Sequence, residues 1–200
     1  QPVLHGLVLT LRPKKSAHGY EKIWLPGGSP LAVYTQRQAA LLASHLPQHI
    51  QVAYAMSYGK PDVASVVADL KAQGVGRLLL LPLYPQFSTT TTGSSLKAWR
   101  ETYKGPGRET TVCCYPTDAG LIEAHARSIR ETWEKAGSPR NIRLLFSAHG
   151  LPEKVILAGD PYQKQIEATA AAVAARLPAD LDWTVCYQSR VGPMKWIGPS

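Results

Sequence analysis

Short apolar runs and longer segments with helical periodicity alternate along most of this chain. The run at 77–83 is almost entirely apolar, as in a strand buried on both faces of a parallel sheet. The segment 31–46 instead repeats its apolar residues at the spacing of one helix face. Strands that alternate with helices in this way indicate an α/β fold with a parallel sheet. The predicted strands are 51–56, 77–83, 110–115, one that ends at His149, and 182–188; the predicted helices are 2–24, 31–46, 62–73, 93–103, 119–136 and 162–177.

A histidine stands at the end of the apolar run 144–148. In open α/β sheets, the groups that bind ligands or catalyse reactions lie at the carboxyl ends of the strands. A histidine there can bind a metal or move a proton near neutral pH; the alternative is a core histidine whose ring nitrogens are both satisfied. One imidazole is not a closed metal site, which needs three or four ligands. His149 therefore suits a transient metal contact or a base.

A cluster of basic and hydroxyl-bearing residues comes near the start of the chain. Its members offer a guanidinium, an ammonium, a phenol and a hydroxyl, and they are Arg12, Lys15, Tyr20 and Ser29. Together such groups suit carboxylates on a ligand. The alternative is a basic surface that only meets solvent.

Two further loops follow predicted strands. Tyr58 comes after the strand 51–56, and in a parallel sheet it would share an edge with His149. The loop 88–95 is rich in hydroxyl groups and leads into a helix, which suits either anion binding or helix capping. It lacks the lysine of a P-loop, which argues against nucleotide hydrolysis.

The overall charge narrows the class of partner. The chain has 22 Lys and Arg against 14 Asp and Glu, a net charge of +8, which favours anionic partners. No basic helix, zinc-finger spacing or RNA-binding aromatic motif supports nucleic acid. We expect a cytoplasmic protein, since no apolar run has the length of a membrane span and the odd cysteine count argues against a disulfide scaffold. The positive charge is also compatible with peripheral contact at the inner face of the cell membrane.

Seven short motifs in a fixed order extend over almost the whole chain. They are GSPL at 28–31, YGKP at 58–61, LPLYPQFS at 81–88, TGSS at 92–95, SAHGLP at 147–152, GDPY at 159–162 and QSRVGP at 188–193. Through them the chain resembles the ferrochelatases, of bacterial type, and looks like a truncated central segment of one.

The resemblance implies two similar domains, each a parallel four-stranded sheet flanked by helices, with a porphyrin cleft between them. The first chelatase domain would be 1–115 without its N-terminal strand, and 116–200 would be the first part of the second, incomplete domain. The implied reaction is insertion of ferrous iron into protoporphyrin IX, which forms protohaem in the last step of haem biosynthesis. The partners would be the porphyrin and Fe²⁺, a substrate, with no tightly bound cofactor and no nucleic acid.

The resemblance also implies roles for individual residues. His149 matches the histidine that handles metal and protons, and the residues matched to the porphyrin and its propionates are Arg12, Lys15, Tyr20 and Ser29. Tyr58 is a further candidate for substrate binding, from its place after the strand 51–56. Thr89 stands where some members have an iron–sulfur cysteine, so no cluster is expected in this segment. The family's acidic motif, whose glutamate works opposite the histidine, has no match here. A porphyrin-binding fragment without catalysis, or a chelatase for another tetrapyrrole and metal, are the alternatives.

Overall fold

Helices alternate with short parallel strands in the residues that the computed structural model describes, 17–105 and 107–200. The elements are α1 (Pro30–His45), α2 (Val63–Ala72), β1 (Arg77–Leu80), α3 (Ser94–Thr102), β2 (Arg108–Thr111), α4 (Ala119–Lys135), β3 (Arg143–His149), α5 (Glu153–Leu157), α6 (Tyr162–Ala174) and β4 (Asp182–Gln188). One π-helical turn, Thr89–Gly93, precedes α3. The predicted α/β class with parallel strands is confirmed.

The chain divides into two compact units, Gln1–Gly74 and Val75–Ser200. In the described part of the first unit, residues 17–21 are helical and α1 begins with Pro30, whose fixed φ suits a first helical position. Asp62 caps α2 by accepting the backbone N–H of Ser65 at 2.8 Å. The buried face of α2 consists of Val66, Val67 and Leu70.

The strand predicted at 51–56 is wrong for the described residues. The segment is extended, but only Met56 pairs, in an isolated bridge with Asp62. A strand exists only where a neighbour supplies hydrogen bonds along its length, and in the described part of this unit the segment has only the bridge at Met56. The helix predicted at 2–24 lies mostly outside the described residues.

The first sheet of the second unit pairs β1 with β2 in parallel, from Arg77 opposite Arg108 to Leu80 opposite Thr111. Leu78 is buried on one face, but Leu79 on the other is 65% exposed. The expected burial of this strand on both faces is therefore wrong within the described residues, because Leu79 lies open on the second face.

The second sheet pairs β3 with β4 in parallel, from Arg143 opposite Asp182 to His149 opposite Gln188. Helices α4 and α6 cover one face of it. The core there consists of Ile122, Ala126, Val173 and Leu177, with Leu144 and Phe146 of β3 packed against them. On the opposite face Leu145 is 57% exposed.

Each sheet has two strands in the described residues, where the resemblance implies four. The domain boundary expected between residues 115 and 116 stays a prediction. No helix among 17–105 and 107–200 combines the length and the apolar character needed to cross a bilayer.

Candidate functional site

The pairing of β3 with β4 places His149 at the carboxyl end of its sheet. It is the last residue of β3 and lies beside Gln188, the last residue of β4. Exposed and half-buried residues alternate along β3, and His149 falls on the exposed side of that alternation. The sequence prediction that an imidazole ends this strand at the sheet edge is confirmed.

A hydrogen bond fixes which nitrogen of the His149 ring is available. The Nδ1 atom lies 2.8 Å from the carbonyl oxygen of Gly150. A carbonyl oxygen can only accept, so Nδ1 carries the hydrogen and donates it. In the neutral ring the lone pair is then on Nε2. Nε2 is therefore the atom that can accept a proton or contact a metal ion.

The peptide group between His149 and Gly150 is held on both sides. The N–H of Gly150 donates to the carbonyl of Gln188 at 2.7 Å, and the hydroxyl of Tyr162 donates to the carbonyl of His149 at 3.0 Å. Gly150 itself is buried. A Cβ atom built on it would stand 2.9 Å from the Gln188 carbonyl oxygen, so the close approach of β4 requires glycine here.

A buried carboxylate, that of Asp160, organises the hydroxyl loop. The residue is 7% exposed, and its Oδ2 accepts the Ser88 hydroxyl at 3.0 Å and both the N–H and the hydroxyl of Thr89 at 2.7 Å. Its Oδ1 accepts the N–H of Tyr162 at 3.0 Å. Burial raises the pKa of Asp160, but the hydrogen bonds from Thr89, Tyr162 and Ser88 outweigh burial and hold that pKa below its ordinary value.

The contacts of Asp160 bear on the two roles predicted for the hydroxyl-rich loop 88–95, anion binding and helix capping. Ser88 and Thr89, at the start of the loop, donate hydrogen bonds to an anion, as expected of an anion-binding loop. That anion is the Asp160 carboxylate of the same chain and not a bound ligand. Ser88 caps the π turn by accepting the N–H of Thr90 at 3.1 Å, and Ser94 donates to the carbonyl of Thr91 at 2.9 Å. Ser88 thus caps the π turn, but α3 begins after Gly93 without a side-chain cap, so the capping expected of Ser94 at the start of that helix is wrong.

The predicted ligand-binding residues lie in the first unit, apart from Arg12 and Lys15, which are outside the described residues. Tyr58 is 93% exposed, in the loop between Met56 and the start of α2. Tyr20 is exposed in the helical segment 17–21. Ser29 precedes α1, and its side chain makes no capping hydrogen bond to that helix. Their predicted contacts with a porphyrin stay predictions.

Metal-binding side chains do not cluster in the described ranges 17–105 and 107–200. No group of three or more His, Cys, Asp or Glu there could hold a metal ion. The sulfur atoms of Cys113 and Cys114 lie 3.0 Å apart. The hydrogen bond with Cys114, then burial, raises the pKa of Cys113 to about 11. Thr89, which the resemblance compares with an iron–sulfur cysteine of some members, donates its hydroxyl to Asp160.

Sequence reasoning missed the parts that Asp160 and Tyr162 play. The available signal was the GDPY motif at 159–162, which was recognised without a structural role. Its partners are distant in sequence, since the bonds of Asp160 to the hydroxyl loop span 71 and 72 residues. Spacing along the chain does not reveal such contacts.

Parallel strands with helices on one face, and an imidazole nitrogen exposed at the carboxyl ends of those strands, define an α/β protein with a candidate site at that edge of its sheet. The chain belongs to the ferrochelatase family, whose model matches residues 1–200. The family resemblance drawn from the seven motifs is thereby confirmed.

Several ferrochelatases are similar to this chain over nearly its whole length. That of Caulobacter vibrioides is 62% identical over 202 residues, which cover 98% of this chain and 58% of the relative. That of Phenylobacterium zucineum is 52% identical, again over 98% of this chain and 58% of the relative. That of Neisseria gonorrhoeae is 46% identical, over 100% of this chain and 60% of the relative. The chain thus spans rather more than half the length of these relatives.

Proposed function

We propose that this chain is the part of a ferrochelatase that carries its catalytic histidine. The reaction would be insertion of Fe²⁺ into protoporphyrin IX to form protohaem, with the metal ion as a substrate. The observation that carries the proposal is the geometry of His149, whose Nδ1 is engaged with Gly150 while Nε2 keeps its lone pair at the exposed strand end. Membership of the ferrochelatase family supports the choice of reaction.

The chemistry of metal insertion suits such a group. Two pyrrole N–H protons must leave the porphyrin, and the metal ion must lose its water before it reaches the ring nitrogens. An imidazole with a free Nε2 can accept one of those protons or hold the ion briefly. A single open contact also permits release, which a closed site of four ligands would resist.

The carboxylates of the porphyrin need cationic and hydroxyl partners. We propose that Arg12, Lys15, Tyr20, Ser29 and Tyr58 form this part of the site. A flat apolar ligand with acidic groups on one edge suits an apolar pocket with basic groups at its mouth. The net charge of +8 agrees with such a ligand.

We also propose a cytoplasmic location with peripheral contact at the inner face of the cell membrane. The support is the same positive charge, which attracts an anionic lipid surface.

Insertion of zinc into a dicarboxylic porphyrin, followed by fluorescence, tests the function. The 200-residue chain is compared with His149→Ala and with His125→Ala, which removes another exposed histidine from α4 of the same unit. We expect turnover by the chain and by His125→Ala, and a fall of about 100-fold or more in His149→Ala, the size of a lost acid–base group.

Other outcomes favour the alternatives. A shift of the porphyrin Soret band without turnover would favour a segment that binds porphyrin but does not catalyse insertion. Preference for cobalt or nickel, or for another tetrapyrrole, would favour a related chelatase. The absence of any spectral shift would contradict the proposal.

A further inference from the structure

We infer that Tyr162 is a positioning residue for His149: its hydroxyl holds the backbone that aims the imidazole. The inference concerns the same site and rests on the proposed function of His149. It assigns a role to the last residue of the GDPY motif through the 3.0 Å bond from the Tyr162 hydroxyl to the His149 carbonyl.

The first step is the orientation of the ring. Rotation about two side-chain bonds would let an exposed imidazole take several directions. The bond from Nδ1 to the Gly150 carbonyl selects one of them and leaves Nε2 outward. The direction of Nε2 therefore depends on where the Gly150 carbonyl points.

The second step is the backbone that carries this carbonyl. Glycine has more accessible backbone conformations than any other residue, so Gly150 does not fix its own geometry. Two external bonds hold the peptide group between His149 and Gly150, from which the Gly150 carbonyl extends: the Gly150 N–H donates to the Gln188 carbonyl, and the Tyr162 hydroxyl donates to the His149 carbonyl. The first belongs to the pairing of the sheet, whereas the second comes from a side chain on another element.

The third step is the support of Tyr162 itself. It is the first residue of α6, and its N–H donates to the buried Asp160, which also holds Ser88 and Thr89. A continuous series of hydrogen bonds thus runs from the hydroxyl loop to the His149 backbone.

The test is the tautomer of His149, measured by nitrogen-15 NMR on the 200-residue chain at a pH where the ring is neutral. We expect the Nδ1–H form to dominate in the unmodified chain. In Tyr162→Phe, which removes only the hydroxyl, the ratio of Nδ1–H to Nε2–H should fall by about 2- to 10-fold, the effect of one weakened hydrogen bond.

A matched variant controls for loss of a phenol hydroxyl. Tyr115→Phe removes a hydroxyl that donates to the Pro82 carbonyl at 3.3 Å in the same unit, away from His149. We expect it to leave the tautomer ratio of His149 unchanged. Equal ratios in the unmodified chain and in Tyr162→Phe would overturn the inference. So would a predominance of Nε2–H in the unmodified chain, a result that needs no variant to fold.

Zinc insertion by the same proteins separates this inference from the proposed function. With both correct, Tyr162→Phe lowers kcat while KM for the porphyrin stays the same. A changed tautomer ratio in a chain without turnover would support positioning by Tyr162 and withdraw catalysis. Lower kcat with an unchanged ratio would overturn positioning and leave catalysis in place.

Discussion

At Gly150 the backbone passes so close to Gln188 that a side chain would have no room. The Cβ of an alanine would meet the Gln188 carbonyl oxygen at 2.9 Å and a ring carbon of Trp196 at 3.4 Å. The first of these neighbours is backbone within a parallel pair of strands and cannot move alone. At this position one residue type decides both the pairing of the sheet and the orientation of the His149 ring.

We therefore expect Gly150→Ala to lower the free energy of unfolding by about 1–3 kcal/mol, as overpacked positions do. Urea unfolding of the 200-residue chain measures it. Gly93→Ala is the matched control, because Gly93 has helical φ and ψ and its added Cβ would find ordinary contacts from 3.5 Å outward. That control should be neutral or stabilising. An equal loss of unfolding free energy in Gly150→Ala and Gly93→Ala would contradict the close approach of the Gln188 carbonyl to Gly150.

At the scale of elements, Asp160 joins the turn before α6 to the π turn before α3. Four donors surround its carboxylate, and the residue is almost fully buried. Since the pKa of Asp160 is lowered in the folded chain, the folded state favours the carboxylate more than the unfolded state does. This stabilisation is present above the unfolded pKa, near 3.8, and is lost as the pH falls through the lower folded pKa.

Asp160→Asn should accordingly cost about 1–3 kcal/mol of unfolding free energy at pH 7, as the loss of hydrogen bonds to a buried charge does. The difference from the unmodified chain should shrink as the pH falls below about 3.8. Urea unfolding at a series of pH values measures this difference. Asp180→Asn, at an exposed position, removes the same charge and should change little. A difference that does not vary with pH would show that the carboxylate is not the cause.

Single elements were largely predictable from the sequence, and contacts between them were not. The predicted helix 31–46 is α1 (Pro30–His45) to within one residue, and the predicted strand 182–188 is β4 as observed. Both have strong periodicity or a clear apolar run. The short helix α5 was missed because five residues carry too little periodicity to be recognised.

In the candidate site, too, the position of a residue within its element could be predicted from the sequence, whereas its contacts could not. The position of His149 at a strand end followed from the run of apolar residues before it. The tautomer of its ring depends on a hydrogen bond to the adjacent Gly150 that only the coordinates show, and the bond from Tyr162 comes from a residue 13 positions away. The segment 51–56 shows the converse. Its extended conformation could be predicted from its residues, but whether a neighbouring strand would pair with it along its length could not.

At the scale of the whole molecule, the second unit has a sheet that is covered on one face in the described residues. Ile122 of α4 is 2% exposed in the core beneath β3, whereas Leu145, in β3 itself, is 57% exposed. Similar aliphatic residues thus lie in opposite environments on the two sides of one strand. Apolar burial, and not strand propensity, should set the stability of this unit.

Ile122→Ala should therefore lower the free energy of unfolding by about 2–5 kcal/mol, the cost of a cavity in a packed core. Leu145→Ala should change it by about 0.5 kcal/mol or less, as at exposed positions. Fluorescence during urea unfolding can report both, because Trp183 packs edge-to-face on Phe146 with ring centroids 5.7 Å apart. A similar loss of unfolding free energy in Ile122→Ala and Leu145→Ala would contradict this prediction, because it would mean that the face of β3 with Leu145 is covered in solution.

The bond between Nδ1 of His149 and the Gly150 carbonyl has a consequence for the proposed role of this ring in proton transfer. When Nε2 gains a proton, Nδ1 already carries its own and goes on donating to the same oxygen. The imidazole and the imidazolium thus share one rotamer, and the ring can alternate between them without swinging. In the proposed function, the ring would therefore begin each proton transfer from the same orientation.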